Sequence, residues 1–121
     1  MAVQIFKQFF STREQVLDDI KRSGFWPTTL ITPIGGQLPI HFHDSDVHAY
    51  VMAGSSWILD AATGERLVTC AGDKFIIPHG ELHAEGETTT EMTYIIGLPE
   101  ARPMKQFLRM QLPTPAQPLG G

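Results

Sequence analysis

The sequence predicts an all-β domain, a small antiparallel barrel or sandwich preceded by one short helix. Two observations carry this. After Gly24 the chain breaks into short β-branched or aromatic runs: "WPTTLITPI", "VHAYVM", "SSWILDA", "ERLVTC", "DKFIIP", "LHAEG" and "EMTYIIGL". The turn-forming stretches "AGSS", "AATGE", "CAGD" and "PHGE" part them at close, fairly regular intervals. Closely spaced short strands of this kind belong to antiparallel sandwiches and small barrels.

The elements follow in order. The apolar start "VQIFKQFF" suits an edge strand, paired either within the chain or with a second copy in a homodimer. "STREQVLDDIKRSG" places Ser11 three residues ahead of Glu14, a capping-box spacing, and carries Val16, Leu17 and Ile20 on one face before Gly24. That pattern predicts an amphipathic helix of about three turns. The strand runs come next. "PMKQFLRM" is read as a short helix starting at Pro103, and the proline-rich end "LPTPAQPLGG" as extended. No internal repeat or second domain is evident, so residues 1–112 form one domain and residues 113–121 a tail.

Composition excludes several classes of function. With 121 residues, 42% of them hydrophobic and 18% charged, the chain can bury a core. A net charge of −4 with scattered Lys and Arg offers no basic stripe for nucleic acid or an anionic membrane. No run of eighteen apolar residues or secretory leader is visible, and the single Cys70 has no disulfide partner, so a reducing, cytoplasmic setting is expected. Cys70 has no adjacent basic group to activate it and reads as a small buried residue.

The histidines are not scattered. Residues 41–48 read "HFHDSDVH", with three of the chain's five histidines. Side chains alternate along a strand, so His41 and His43 share a face and two imidazoles there can share one ion. His48 shares a face with Tyr50 and Met52, and is a third candidate ligand. His83, after the turn "PHGE", is a fourth; His79 in the middle of that turn reads as exposed. Neutral imidazole is the commonest metal ligand. Asp44 and Asp46 either form the turn or orient an imidazole. Glu81 and Glu87 read as solvated, whereas Glu85 alternates with His83 and can face the same cavity.

At this point the spacing resembles a known family. "GGQLPIHFHDSDVH" gives Gly35, His41, His43 and His48, and "GDKFIIPHGELHAEGE" gives Gly72, Pro78, Gly80 and His83. These resemble the two motifs of the cupin superfamily, over residues 35–87. Two departures stand out in the first motif: His48 occupies the place of the usual glutamate, and Gly54 comes one residue early. The second motif ends in Glu87 instead of asparagine. The resemblance implies a jelly-roll barrel (a double-stranded β-helix), often dimeric, around one divalent ion held by His41, His43, His83 and, here, His48.

An all-histidine site would leave the ion its full charge and favour an anionic or enolisable chelating substrate. Iron is expected first, with nickel, zinc or copper as alternatives. Tyr50, Met52, Trp57, Phe75, Glu85 and Tyr94 are the candidate pocket residues. The resulting expectation is a metal-dependent dioxygenase. A non-redox isomerase or lyase, and a small-ligand binding or sensing module without turnover, stand beside it. No dedicated acid or base stands out besides Glu85, Tyr50 and Tyr94, which favours chemistry done by the ion or none.

Overall fold

A computed structural model describes residues 2–103 and 106–113 of the chain. The elements run β1 (Gln4–Phe6), α1 (Arg13–Ser23), β2 (Trp26–Thr32), β3 (Val47–Ala53), β4 (Ser55–Asp60), β5 (Glu65–Cys70), β6 (Lys74–Ile77), β7 (His83–Glu85) and β8 (Met92–Leu98). Each β-rich run of the sequence is thus a strand. All pairings are antiparallel, in a five-stranded sheet ordered β1-β6-β3-β8-β2 and a three-stranded sheet ordered β5-β4-β7. The architecture is a jelly roll of two sheets, not one closed ring of hydrogen bonds.

Alternation sorts the five-stranded sheet into two faces. Val47, Ala49 and Val51 of β3, Phe75 and Ile77 of β6, and Ile96 and Leu98 of β8 point inward. There they pack with Ile58 of β4 and Leu67 of β5, so the main core lies between the sheets. The outer face carries Tyr50 and Ile95, which meet Val16 and Ile20 of α1 together with Phe10. Burying an aliphatic side chain of this size contributes about 1.5–3 kcal/mol, which is why an eleven-residue helix persists here.

The helix begins one residue later than the Ser11–Glu14 spacing predicts. Thr12 is the N-cap, its hydroxyl accepting from the Gln15 amide, while the Gln15 side chain accepts from the Thr12 amide. Gln15 thus closes the capping box in place of Glu14. Gly24 ends the helix in the left-handed conformation, its amide reaching the Ile20 and Lys21 carbonyls.

A polar clamp fixes the helix to the sheet. The Tyr50 hydroxyl donates to Asp19 at 2.5 Å and the Lys74 ammonium to the same oxygen at 2.6 Å. Lys74 lies over the rings of Phe6, Phe9 and Tyr50 at 4.8–5.7 Å. Strand β1 pairs within its own chain, along β6.

Past β8 the chain returns across the inner face. The Gln106 and Phe107 amides both donate to the Pro103 carbonyl, forming a turn, while Met104 and Lys105 of the expected helix lie outside the described residues. Gln111 then bridges Phe42 through paired amide hydrogen bonds of 2.9 Å. Of the expected tail only Pro113 is described. Among the described residues no helix is long and apolar enough to cross a membrane.

Candidate metal centre

The segment before β3 extends the small sheet. The His41 amide donates to the His83 carbonyl at 2.8 Å and the His83 amide to the His41 carbonyl at 2.9 Å. Leu38 to Glu85 on one side (3.0 Å) and Gly80 to His43 on the other (2.9 Å) continue the ladder. His41 is therefore directly opposite His83. Period-two alternation then brings His43 and Glu85 to the same face, one on each flank of that pair.

The outcome is a compact cluster. One ligand atom from each of His41, His43, His83 and Glu85 lies within 4.8 Å of all the others. The three imidazole centroids are 4.4–5.1 Å apart, and the histidines are at most 5% exposed. Each imidazole is oriented from behind by a backbone carbonyl. Nδ1 of His41 meets the Pro39 oxygen at 2.7 Å, that of His83 the Glu81 oxygen at 2.9 Å, and that of His43 the Arg109 oxygen at 3.2 Å. A proton donated from Nδ1 leaves the Nε2 lone pair free, as a metal ligand requires.

Glu85 Oε2 stands 3.2 Å from His41 Nε2, and Glu85 Oε1 stands 3.5 Å from His83 Nε2. These are ion-pair distances without hydrogen-bond alignment. Glu85 Oε2 and His83 Nε2 are buried with no hydrogen-bond partner among the described residues. Unmet buried groups cost about 1–3 kcal/mol each, and a cation among them would remove that cost.

The electrostatics agree. Burial, and then the neighbouring His83, push the His43 imidazole down to about 4, so it is neutral near pH 7. For His83 burial pulls downward, but the contact with Glu85 outweighs it and the net shift is upward. Burial would raise the Glu85 carboxyl, yet the three imidazoles, His83 foremost, hold it below its usual value. A place that draws a proton onto His83 also draws a metal cation. Three imidazoles and one carboxylate suit iron, nickel, copper or zinc, and nothing in the geometry selects among them.

His48, expected from the sequence as a fourth ligand, lies elsewhere. It sits on the outer face of β3, its ring 4.3 Å from that of Phe25, and Lys74 rather than an acid is its main charged neighbour. The reason is parity. His43 and His48 are five residues apart, and β3 starts only at Val47, after the Asp44–Asp46 turn. Val47 therefore points inward and His48 outward. Val47 also restores the motif register, because Gly54 then falls at its usual distance; the carboxylate missing from β3 is delivered by Glu85 on β7. The signal in the sequence was the His83-x-Glu85 alternation.

The other expected residues separate along the same lines. Phe75, Glu85 and Tyr94 line a cavity of about 500 Å³ that His41 and His43 also border. Tyr50 and Met52 face α1 instead. Trp57 is outside the cavity, its indole covering Gly86 and lying 4.2 Å beneath the Arg66 guanidinium. Asp44 pairs with Arg102 at 2.5 Å and Asp46 accepts from the His79 amide, so neither orients an imidazole. Contributions from Phe107, Leu108 and Met110 complete the cavity wall. Those residues follow a weakly patterned stretch, and only the return of the chain brings them there.

No family model and no curated protein matches the chain. Solved structures do resemble it. A DUF861 family protein from Thermotoga maritima superposes with a TM-score of 0.56 at 16% identity, over 79% of this chain and 98% of that one. A cupin-2 domain containing protein from Shewanella frigidimarina gives 0.51 at 25% identity, over 65% and 72%. The polyketide cyclase RemF from Streptomyces resistomycificus gives 0.53 at 25% identity over 65% of this chain, and the match spans 57% of that cyclase.

Proposed function

The chain has the cupin fold, and from that premise we propose a metal-dependent enzyme of the lyase, cyclase or isomerase type. His41, His43, His83 and Glu85 would hold one divalent transition-metal ion beside the cavity that receives the substrate. The observation that carries the reading is the convergence of four ligand atoms within 4.8 Å at the wall of a cavity of about 500 Å³. When bound, such an ion supplies Lewis acidity toward a carbonyl oxygen.

The protein's own contribution is positioning. Carbonyl groups of Pro39, Glu81 and Arg109 hold the imidazoles in one tautomer, and the burial of all three histidines keeps bulk water from them. The carboxylate matters for chemistry as well as affinity. It lowers the net charge of a divalent site to about +1, which weakens the pull toward anionic chelators that an all-histidine set would exert. Similarity to a polyketide cyclase supports non-redox work on an oxygen-bearing organic substrate.

The deciding experiment has two stages. Elemental analysis of untagged protein should find close to one transition metal per chain; a native protein that retains none after reconstitution would overturn the reading. A panel of ketones, esters and phenols is then tested on zinc- and iron-loaded protein with and without oxygen. Product formed anaerobically supports the proposal. Obligatory oxygen consumption by the iron form would establish the dioxygenase instead, and binding without turnover across the panel would leave a ligand-binding module.

A further inference from the structure

Apart from His41, His43 and Glu85, the described residues of the cavity wall are uncharged. Leu30, Val47, Phe75, Ile77, Ile96 and Leu108 supply much of it, and among the described residues no Lys or Arg lines it and Glu85 is its only acid. A dicarboxylate or phosphate would leave its surplus charge against hydrocarbon, which is strongly unfavourable. An apolar body loses nothing there and gains by leaving water.

The few hydroxyls are not equivalent. Ser56 is directed at the Gly86 and Glu87 carbonyls at 3.4 and 3.5 Å, and Thr88 bonds the Pro33 carbonyl and the Gly35 amide. Thr32 ends β2 beside Pro33. Tyr94 differs from these. It stands on the inner face of β8 between Leu30 and Val51, its ring edge-on to Phe75 with centroids 6.2 Å apart at 88°. That contact fixes the direction of the phenol, and among the described residues no hydrogen bond to its oxygen is present. Burial, and then the charge of Glu85, push the phenol up to about 12, so at neutral pH it is a donor within reach of the cluster's field. A fixed, half-buried donor in an apolar wall calls for an acceptor on the ligand.

We infer that the cavity takes an uncharged carbonyl compound with a ring-sized apolar body, and that Tyr94 positions it by donating a hydrogen bond to its oxygen. This rests on the metal reading above, which supplies the other anchor. Tyr94 is thereby a substrate-contacting residue, and the apolar wall sets the substrate class.

Cobalt(II)-loaded protein tests it through visible absorption, with benzoylacetone as the aromatic diketone, uncharged in solution and releasing one proton to water when it chelates as the enolate, and malonate as the dianionic control. Benzoylacetone should perturb the spectrum at a concentration at least about tenfold lower than malonate does. Tyr94→Phe should leave the ligand-free cobalt spectrum unchanged and weaken benzoylacetone binding about fivefold to tenfold. Malonate binding as tightly as the diketone would overturn the substrate class, a comparison made on the native chain alone. Native affinity in Tyr94→Phe would overturn the role of the phenol. A native protein without any cobalt spectrum would remove the metal reading, and this inference with it.

Discussion

His41 and His83 stand directly opposite one another on antiparallel segments, joined by amide hydrogen bonds of 2.8 and 2.9 Å with their rings 4.4 Å apart. Because the pair is fixed by backbone, the geometry of the cluster is built into the fold. Metal binding should therefore stabilise the folded state. At a free-metal concentration of a hundred times Kd the gain is about 2.7 kcal/mol, or a melting-temperature rise of roughly 10 °C. Calorimetry before and after chelation measures it; an unchanged melting temperature on metal addition would contradict the assignment.

The ligand set makes opposite predictions for Glu85 and His48. Glu85→Ala should weaken zinc binding by at least about tenfold, whereas His48→Ala should keep native stoichiometry. Since Val47 borders the same cavity from β3, Val47→Glu introduced into Glu85→Ala should recover binding. Equilibrium dialysis of the variants decides the matter. Loss of metal in His48→Ala would restore the sequence-based expectation.

The clamp between α1 and the sheet carries a pH dependence. Burial would raise the Asp19 carboxyl, but hydrogen bonds from Lys74 and Tyr50 outweigh it and hold it below 3.8. A carboxyl whose pKa is lower in the folded state contributes stability above its unfolded value and loses it as pH falls through the folded one. Asp19→Asn should thus cost about 2 kcal/mol at pH 7, and the difference from the native chain should shrink at about pH 3 or below. Urea titrations at the two pH values test this; a constant gap would mean that the ionised carboxylate is not the cause.

Gly86 follows Glu85 and lies beneath the Trp57 indole, where an added Cβ would overlap ring atoms. Gly86→Ala should destabilise the chain by about 1–3 kcal/mol and weaken metal binding by displacing β7. Thermal melts with and without zinc report both effects. Native stability in this variant would show that Trp57 shifts freely despite Arg66.

Much of this protein was legible from residue order. The seven β-rich runs after Gly24 are strands because short alternating segments bounded by turn residues have few other ways to bury one face. The shared face of His41 and His43, and that of His83 and Glu85, follows from period-two alternation alone. So does the common face of His48, Tyr50 and Met52.

Tertiary structure decided which face was inside. Alternation relates residues within one strand, but the Asp44–Asp46 turn breaks that relation between His43 and β3, and α1 claims the face that His48 shares with Tyr50. Whether His41 meets His83, and hence whether Glu85 joins the cluster, depends on register between segments forty residues apart. The sequence by itself determined the strands and the pairs of side chains that travel together; the packing of sheet, helix and returning chain determined which pairs meet, because inward and outward are properties of layers that no single strand possesses.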